Sequence, residues 1–249
     1  MILSRSNGLQ QTRGDPISPK IIPWTEDRMN AIWTALPDRN KIVVPLAAGC
    51  GMRMGEILAF SPDDIRRKEG VFVVQRQIRR LKGGCVFSPP KGGKTRIVPM
   101  AEDILDEIDT YLETFEPVTI TLPWRVLDGR PVTARVLISR PDNPQPMYGY
   151  LFLQTVWAAA FRRAELTKRD RVDGMHALRH YYASSCLAEG VSILELANYL
   201  GHSDPAVTLR HYAHLMPTSH ARARRAVNAS WSAARMLPDA HEDDPESVP

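Results

Sequence analysis

LGHSDPAVTLRHYAH runs from Leu200 to His214. It holds His202, His211 and His214, with Arg210 and Tyr212 beside them. The local signals read as helix, tight turn, helix. Ser192 and Glu195 form a capping box at the start of the first helix. Gly201 ends that helix. Asp204 caps the next, with Pro205 at its first position. His202 therefore lies in the turn, and Tyr212 on the second helix or at its end. Few folds need so many ionisable and aromatic groups in one short turn, so this stretch points to chemistry.

Working outward, the chain is helical in both directions from this point. Segments near 153–166, 175–188, 192–200, 205–213 and 218–235 carry helical periodicity. Earlier, Thr25 caps a helix from Glu26 to about Leu36, with Met29, Ile32, Trp33 and Leu36 on one face. A second helix is expected near Lys41–Ala48, and a third from Arg53 to just before Ser61-Pro62. Short strand-like runs follow at Val71–Gln77, Gly84–Ser88 and Thr95–Val98, punctuated by Pro89-Pro90 and Gly92-Gly93. A helix at about Ala101–Thr114 comes next. The fold class is mainly α with a small antiparallel β-sheet, α+β. Residues 117–150 are rich in proline, threonine and valine and read as an insertion, a hairpin or irregular, with a turn at Asp128-Gly129.

The chain has 249 residues, enough for one large domain. Its net charge of +4 hides an asymmetry. The last twelve residues, 238–249, hold five carboxylates and no lysine or arginine, which leaves the body with 32 bases against 23 acids. A basic body suits a polyanionic partner. The tail reads as disordered and acidic. No apolar run approaches the roughly 18 residues of a membrane-spanning helix, and MILSRSNGLQQ is not a secretory signal. Cys50, Cys85 and Cys186 are scattered, with no CxxC pair. Reduced thiols and a cytoplasmic location are expected.

Three further clusters carry chemistry. GMRMGE, Gly51–Glu56, puts Arg53 at a helix start after a glycine turn, with Glu56 one turn later to brace it. HALRH, His176–His180, sets His176 and Arg179 on one helix face. Ala177 stands where a zinc HExxH motif needs glutamate, so a histidine-metal hydrolase is disfavoured. PPKGGKTRIVP, residues 89–99, places Lys91 and Lys94 around a diglycine, with Arg96 on the outgoing strand of a basic hairpin. There is no GxSxG elbow, P-loop or GxGxxG, which argues against a serine hydrolase or a nucleotide site.

Taken in order, Arg53 in GMRMGE, Lys91, HALRH, LGH and the Tyr212 segment resemble the catalytic domain of tyrosine recombinases of the phage integrase kind. The resemblance spans about Trp24 to Met216. It implies the tyrosine recombinase catalytic-domain fold and a reaction without metal, ATP or other cofactor. Tyr212 would attack a DNA phosphate and form a 3′-phosphotyrosine. Arg53 and Arg179 would clamp the nonbridging oxygens, and His202 would hydrogen-bond them. His176 would take the tyrosine proton, and Lys91 would protonate the leaving 5′-oxygen; Lys94 is its rival. Glu56 and His180 would support the site. Tyr181 and Tyr182 read as packing residues.

Double-stranded DNA is the implied partner. Its phosphate contacts are expected among Arg76, Arg79, Arg80, Lys82, Lys94, Arg96, Arg162 and Arg163. Self-association on DNA, as a tetrameric synapse when full length, and accessory DNA-bending or directionality proteins are also implied; a membrane is not. In domain terms, residues 1–20 read as a leader, with the family's helical core-binding domain absent. Residues 21–216 read as the catalytic domain and 217–237 as a C-terminal helix, basic around Arg222–Arg225, that docks on a neighbouring protomer. A type IB topoisomerase and a DNA-binding regulator that lost catalysis are the alternatives; all five motif positions are filled, which argues against the second.

Overall fold

The computed structural model describes residues 21–140, 143–170, 172–216 and 220–235. The expected leader and acidic tail lie outside them. Two compact units result, the first ending at Leu215 and the second beginning at Met216. The described part of the second is one helix, α10, His220–Arg235. The side chain of Arg222 lies outside the described residues.

In the first unit, Thr25 accepts from the Arg28 N–H and starts α1, Glu26–Ala35. A four-residue helix α2, Asp38–Lys41, follows. The continuous helix expected over 41–48 does not form. The chain widens into a π-helical turn at Pro45–Gly49, because Pro45 offers no N–H and its ring crowds the carbonyl four residues back. Helix α3 is only Met54–Ile57, shorter than expected. A 3₁₀ turn at Pro62–Asp64, capped by Ser61, follows it.

The strand-rich region forms two separate small sheets. Strands β1 (Ile65–Arg66), β2 (Val71–Val74) and β5 (Arg96–Pro99) form one, in the order β1-β2-β5. Strands β3 (Gln77–Leu81) and β4 (Gly84–Ser88) form the other. Both sheets are antiparallel, with Val74 opposite Arg96 and Gln77 opposite Ser88. This corrects the expected hairpin at 89–95. Since β4 pairs with β3 and β5 with β2, that segment is a crossing loop between sheets.

Helix α4, Glu102–Thr114, packs Ile108 and Tyr111 inward. Beyond it, the insertion is a true hairpin, β6 (Val118–Pro123) with β7 (Pro131–Val136), in register from Val118↔Val136 to Pro123↔Pro131. A shorter pair, β8 (Ser139–Arg140) and β9 (Asn143–Pro146), completes it. Helix α5 (Gly149–Phe152) and helix α6 (Ala158–Arg163) are joined by a π-helical turn at Leu153–Trp157.

The last three helices of this unit are α7 (Met175–Ala188), α8 (Ile193–Leu200) and α9 (Pro205–Tyr212). Their caps follow the sequence. Ser192 and Glu195 make the capping box, and the Asp204 carboxylate accepts from the Ala206 N–H at 2.8 Å. Gly201 sits at φ +64°, and His202 N–H returns to Ala197 O at 2.9 Å, closing the helix end. A Cβ on Gly201 would lie 3.0 Å from Arg96 Cδ, so the glycine also admits that side chain. The main core runs from α1 through both sheets to Leu178 of α7. A second cluster of Tyr182, Ala183, Leu187, Leu196, Leu200 and Tyr212 lies among α7, α8 and α9.

Candidate active site

A cleft of about 1100 Å³ is bordered by Arg53, Lys91, Arg96, His176, Arg179, His180, His202 and Tyr212, with others. Six expected catalytic positions thus meet from five separate stretches of chain. No stretch is adjacent in sequence to the next, so the fold alone assembles them.

Glu56 is the keystone of one wall. It is fully buried. Its carboxylate accepts from Arg53 NH1 at 3.1 Å and from the Arg53 backbone N–H at 2.9 Å. It also accepts both guanidinium nitrogens of Arg96, at 2.9 and 2.6 Å. Burial works against its charge, but the two arginines win and hold its pKa at about 2. The bracing of Arg53 expected from the sequence is therefore present, and a second arginine shares it. This reassigns Arg96. Its side chain is 7% exposed, and its Nε donates to Tyr199 O at 2.7 Å. Expected as a DNA contact, it instead spends three of its five N–H donors, one from each nitrogen, on Glu56 and Tyr199 O, which fixes it against the protein. Arg53 NH2 reaches Gly201 O at 3.2 Å, which ties the GMRMGE turn to the LGH turn.

Arg179 is buried and donates to Gly51 O and Leu200 O. A guanidinium carries five N–H donors, so others stay available to the cleft. Burial lowers its pKa to about 9, which leaves it charged at neutral pH. Its NH2 lies 3.4 Å from His202 Nε2, while His202 Nδ1 is 2.7 Å from the buried hydroxyl of Thr208. An arginine can only donate, so in this pose Nε2 accepts and Nδ1 carries the proton.

The tyrosine is 2% exposed. Its hydroxyl lies 2.6 Å from His180 Nδ1. Burial raises the phenol to about 12, with Arg179 and then Arg53 pulling it down. Burial lowers His180 to about 4, so its ring is neutral and can accept the phenol proton. The sequence reading gave this partnership to His176. That residue lines the cleft with part of its surface open, while its ring is desolvated enough by the cleft walls, and close enough to Arg179, Arg53 and Lys91, that its pKa is lowered. His180 is one turn further along α7 than His176, level with the end of α9, and is the histidine that meets Tyr212.

One supporting residue was missed. Asp173 is fully buried just before α7. It accepts from Trp24 Nε1 at 3.0 Å, from Arg28 NH2 at 2.9 Å and from the backbone N–H and side chain of Arg169. These bonds outweigh its burial and hold it near pKa 2. Arg169, four residues earlier, is its one local partner among the described residues; Trp24 and Arg28 lie 149 and 145 residues away, so the local pattern shows a surface ion pair and not the buried anchor.

The remaining basic positions differ in how free they are. Arg76 is paired with Asp64 at 2.8 Å and is largely covered, a second departure from the expected DNA contacts. Arg80 is exposed, and its guanidinium stacks over Tyr148 at 5.3 Å. Arg163 donates to Ala35 O. Arg79, Lys82, Lys91, Lys94 and Arg162 are exposed. Tyr182 is a packing residue, as expected; Tyr181 is half-buried, with its hydroxyl 3.5 Å from Glu26.

These ionisable groups set an acid profile. For His180 and His202, both lowered to about 4 by burial, the unfolded chain binds more protons between about pH 4 and 6.5. Their contribution is full above about 6.5 and is lost as pH falls toward 4. Glu56 and Asp173, both held near 2, add a second loss as pH falls below about 4.5. We expect the melting temperature to fall steadily from pH 7 to pH 4. The variant His180→Asn/His202→Asn should flatten that upper limb. A melting temperature constant from pH 7 to pH 5 in the unaltered chain would rule the assignment out.

The fold and site define a mainly α domain that gathers arginines, histidines and a buried tyrosine around one basic cleft. The sequence profile of the phage integrase family matches residues 24–218, and the chain belongs to that family. Among curated relatives, tyrosine recombinase XerA of Pyrococcus horikoshii is 26% identical over 197 residues, covering 78% of this chain and 58% of its own length. Tyrosine recombinase XerD of Pseudomonas putida is 27% identical over 184 residues, covering 73% of this chain and 51% of its own. The chain thus spans between half and three fifths of those relatives. Of solved structures, the Tn1549 transposon integrase in complex with a circular intermediate DNA superposes with TM-score 0.63 at 17% identity, covering 88% of this chain and 67% of that one. The catalytic domain of bacteriophage HP1 integrase gives 0.51 at 20% identity, covering 90% of this chain and all of that domain. The fold class and the tyrosine recombinase catalytic-domain fold are as read from the sequence. Among the described residues no helix is long and apolar enough to cross a membrane.

Proposed function

We propose that this chain is the catalytic part of a site-specific DNA recombinase that cuts and rejoins a strand through a 3′-phosphotyrosine. The observation that carries the reading is the meeting of Tyr212 with Arg53, Arg179 and His202 on one cleft. The relatives, themselves named tyrosine recombinases, favour it over a topoisomerase or a non-catalytic regulator.

The Tyr212 oxygen attacks phosphorus, the bond from phosphorus to O5′ breaks, and the strand end stays on the enzyme as an ester. The phenol proton passes to the neutral His180, which already holds it by hydrogen bond. Lys91, on the exposed crossing loop, supplies a proton to O5′. Arg53 and Arg179 face the charge that builds on the nonbridging oxygens, an arrangement whose loss typically costs about 10²–10³ in rate per donor. His202 hydrogen-bonds the same group in its other tautomer. Rejoining runs the sequence backward with a different 5′-hydroxyl, so strand exchange needs two duplexes and several copies of the protein on double-stranded DNA. DNA-bending or directionality proteins would act at that level.

The test is trapping. The purified chain, in chelator and without ATP, is incubated with nicked suicide duplexes and run on a denaturing gel. A protein–DNA adduct attached at a 3′ end is expected. Adduct that requires added metal, or that carries a 5′ end, would overturn the reading.

A further inference from the structure

The cleft has a second lobe that the strand-cleavage chemistry does not use. Arg53, Lys91 and His176 form the wall it shares with the reaction site, and Arg79 and Arg125 line its far side. No carboxylate lines it. Arg79 and Arg125 are both exposed, and neither is in an ion pair among the described residues.

Arg125 is held there by unusual means. It belongs to the turn between β6 and β7, in the insertion, and its φ is +69°, the left-handed region. Arginine gains nothing locally from that conformation, which suits glycine or asparagine. The surroundings impose it. The Arg125 N–H donates to Phe87 O of β4 at 2.7 Å. Leu127 lies over Gly84, where a Cβ would come within 2.9 Å of it. At Gly129 a Cβ would meet Trp124 O at 2.1 Å, so the turn can close only with glycine there. The insertion is thereby clamped onto the β3–β4 ribbon, and its Arg125 lines the same lobe as Arg79 of β3. A strained residue kept in place by its neighbours is a reason to look for function.

We infer that Arg79 and Arg125 form a second phosphate site, which takes the DNA phosphate adjacent to the scissile one on the cleaved strand. The inference rests on the strand-cleavage reading for the identity of the first phosphate. Each strand of a duplex presents a phosphate every 3.4 Å or so of axis, so a strand lying across the shared wall brings a neighbour into the second lobe. Two guanidiniums suit such a group by their planar forks.

Two measurements on the full chain test this. Arg125→Gly keeps the turn, since glycine accepts the left-handed backbone, and deletes only the guanidinium; Arg125→Lys retains the charge. Affinity for a duplex is titrated by fluorescence anisotropy across salt concentrations. Arg125→Gly should weaken binding about tenfold and reduce the salt slope by about 0.9, one phosphate contact, while Arg125→Lys keeps the slope. An unchanged slope in Arg125→Gly, or no binding by any form, overturns the site. This readout does not need cleavage, so it stands or falls separately from the recombinase reading. The position is then read from phosphate ethylation interference in the trapped adduct. The unaltered chain should exclude ethylation at the scissile phosphate and its neighbour, and Arg125→Gly at the scissile phosphate alone. Exclusion of the neighbour in both forms would overturn the assignment.

Discussion

Tyr212→Phe is expected to form no covalent adduct with a suicide duplex, with DNA affinity within about twofold of the unaltered chain. The substitution removes one oxygen and leaves the ring. That ring is a member of the second core cluster, packed with Leu196 and Leu200, so its apolar contacts survive. What is lost is the nucleophile and its bond to His180. A single hydrogen bond of this kind contributes about 1 kcal/mol to stability, with some added cost for leaving the half-buried imidazole nitrogen without its partner. The unfolding midpoint should therefore shift slightly while the chemistry vanishes. Residual adduct in Tyr212→Phe would move the nucleophile elsewhere, with the half-buried Tyr181 as the next tyrosine to test.

Glu56→Ala is expected to lower the unfolding free energy by about 3–5 kcal/mol, the usual cost of removing one partner from a buried charge cluster. Two guanidiniums depend on this carboxylate, and their side chains are only 15% and 7% exposed. Each is also tied to a helix-end carbonyl, Gly201 O for Arg53 and Tyr199 O for Arg96, so neither is free to swing away from the vacated carboxylate position. Against a typical domain stability of about 5–15 kcal/mol, the loss is severe. Glu56→Gln should fall between, since the amide oxygen still accepts but its NH₂ group opposes a guanidinium. Denaturant unfolding of the three forms gives the order. A Glu56→Ala chain within about 1 kcal/mol of the original would mean the arginines find other partners.

Much of this was legible in the sequence, and the boundary of legibility is physical. The caps at Ser192, Gly201 and Asp204 follow from backbone groups satisfied within a few residues, so short patterns reveal them. The site positions Arg53, His176, Arg179, His202 and Tyr212 are carried by short motifs in a set order. The partners of those motifs are not. Arg96 meets Glu56 across 40 residues, and its sequence neighbourhood, Lys-Thr-Arg, looks like any basic surface. Asp173 reads as a loop aspartate until Trp24 and Arg28 close over it. Whether His176 or His180 meets Tyr212 turns on one helical turn, a difference that spacing alone leaves open. The crossing loop was read as a hairpin because strand pairing is a non-local choice.

That loop has a further consequence. Lys91 sits on a segment with fixed ends. Pro90 is buried, Gln77 Nε2 holds Pro89 O at 2.7 Å, and Arg96 is pinned to Glu56. Between these moorings Gly92 and Gly93 adopt φ of +91° and +77°, and a side chain at either would touch nothing within 4 Å. The lysine is thus on a short leash: free to swing, unable to wander. Its ammonium group is thereby kept at the lip of the cleft, where the proposed chemistry asks for a proton donor within reach of the strand but not locked against it. A donor mounted on a helix would lack that latitude.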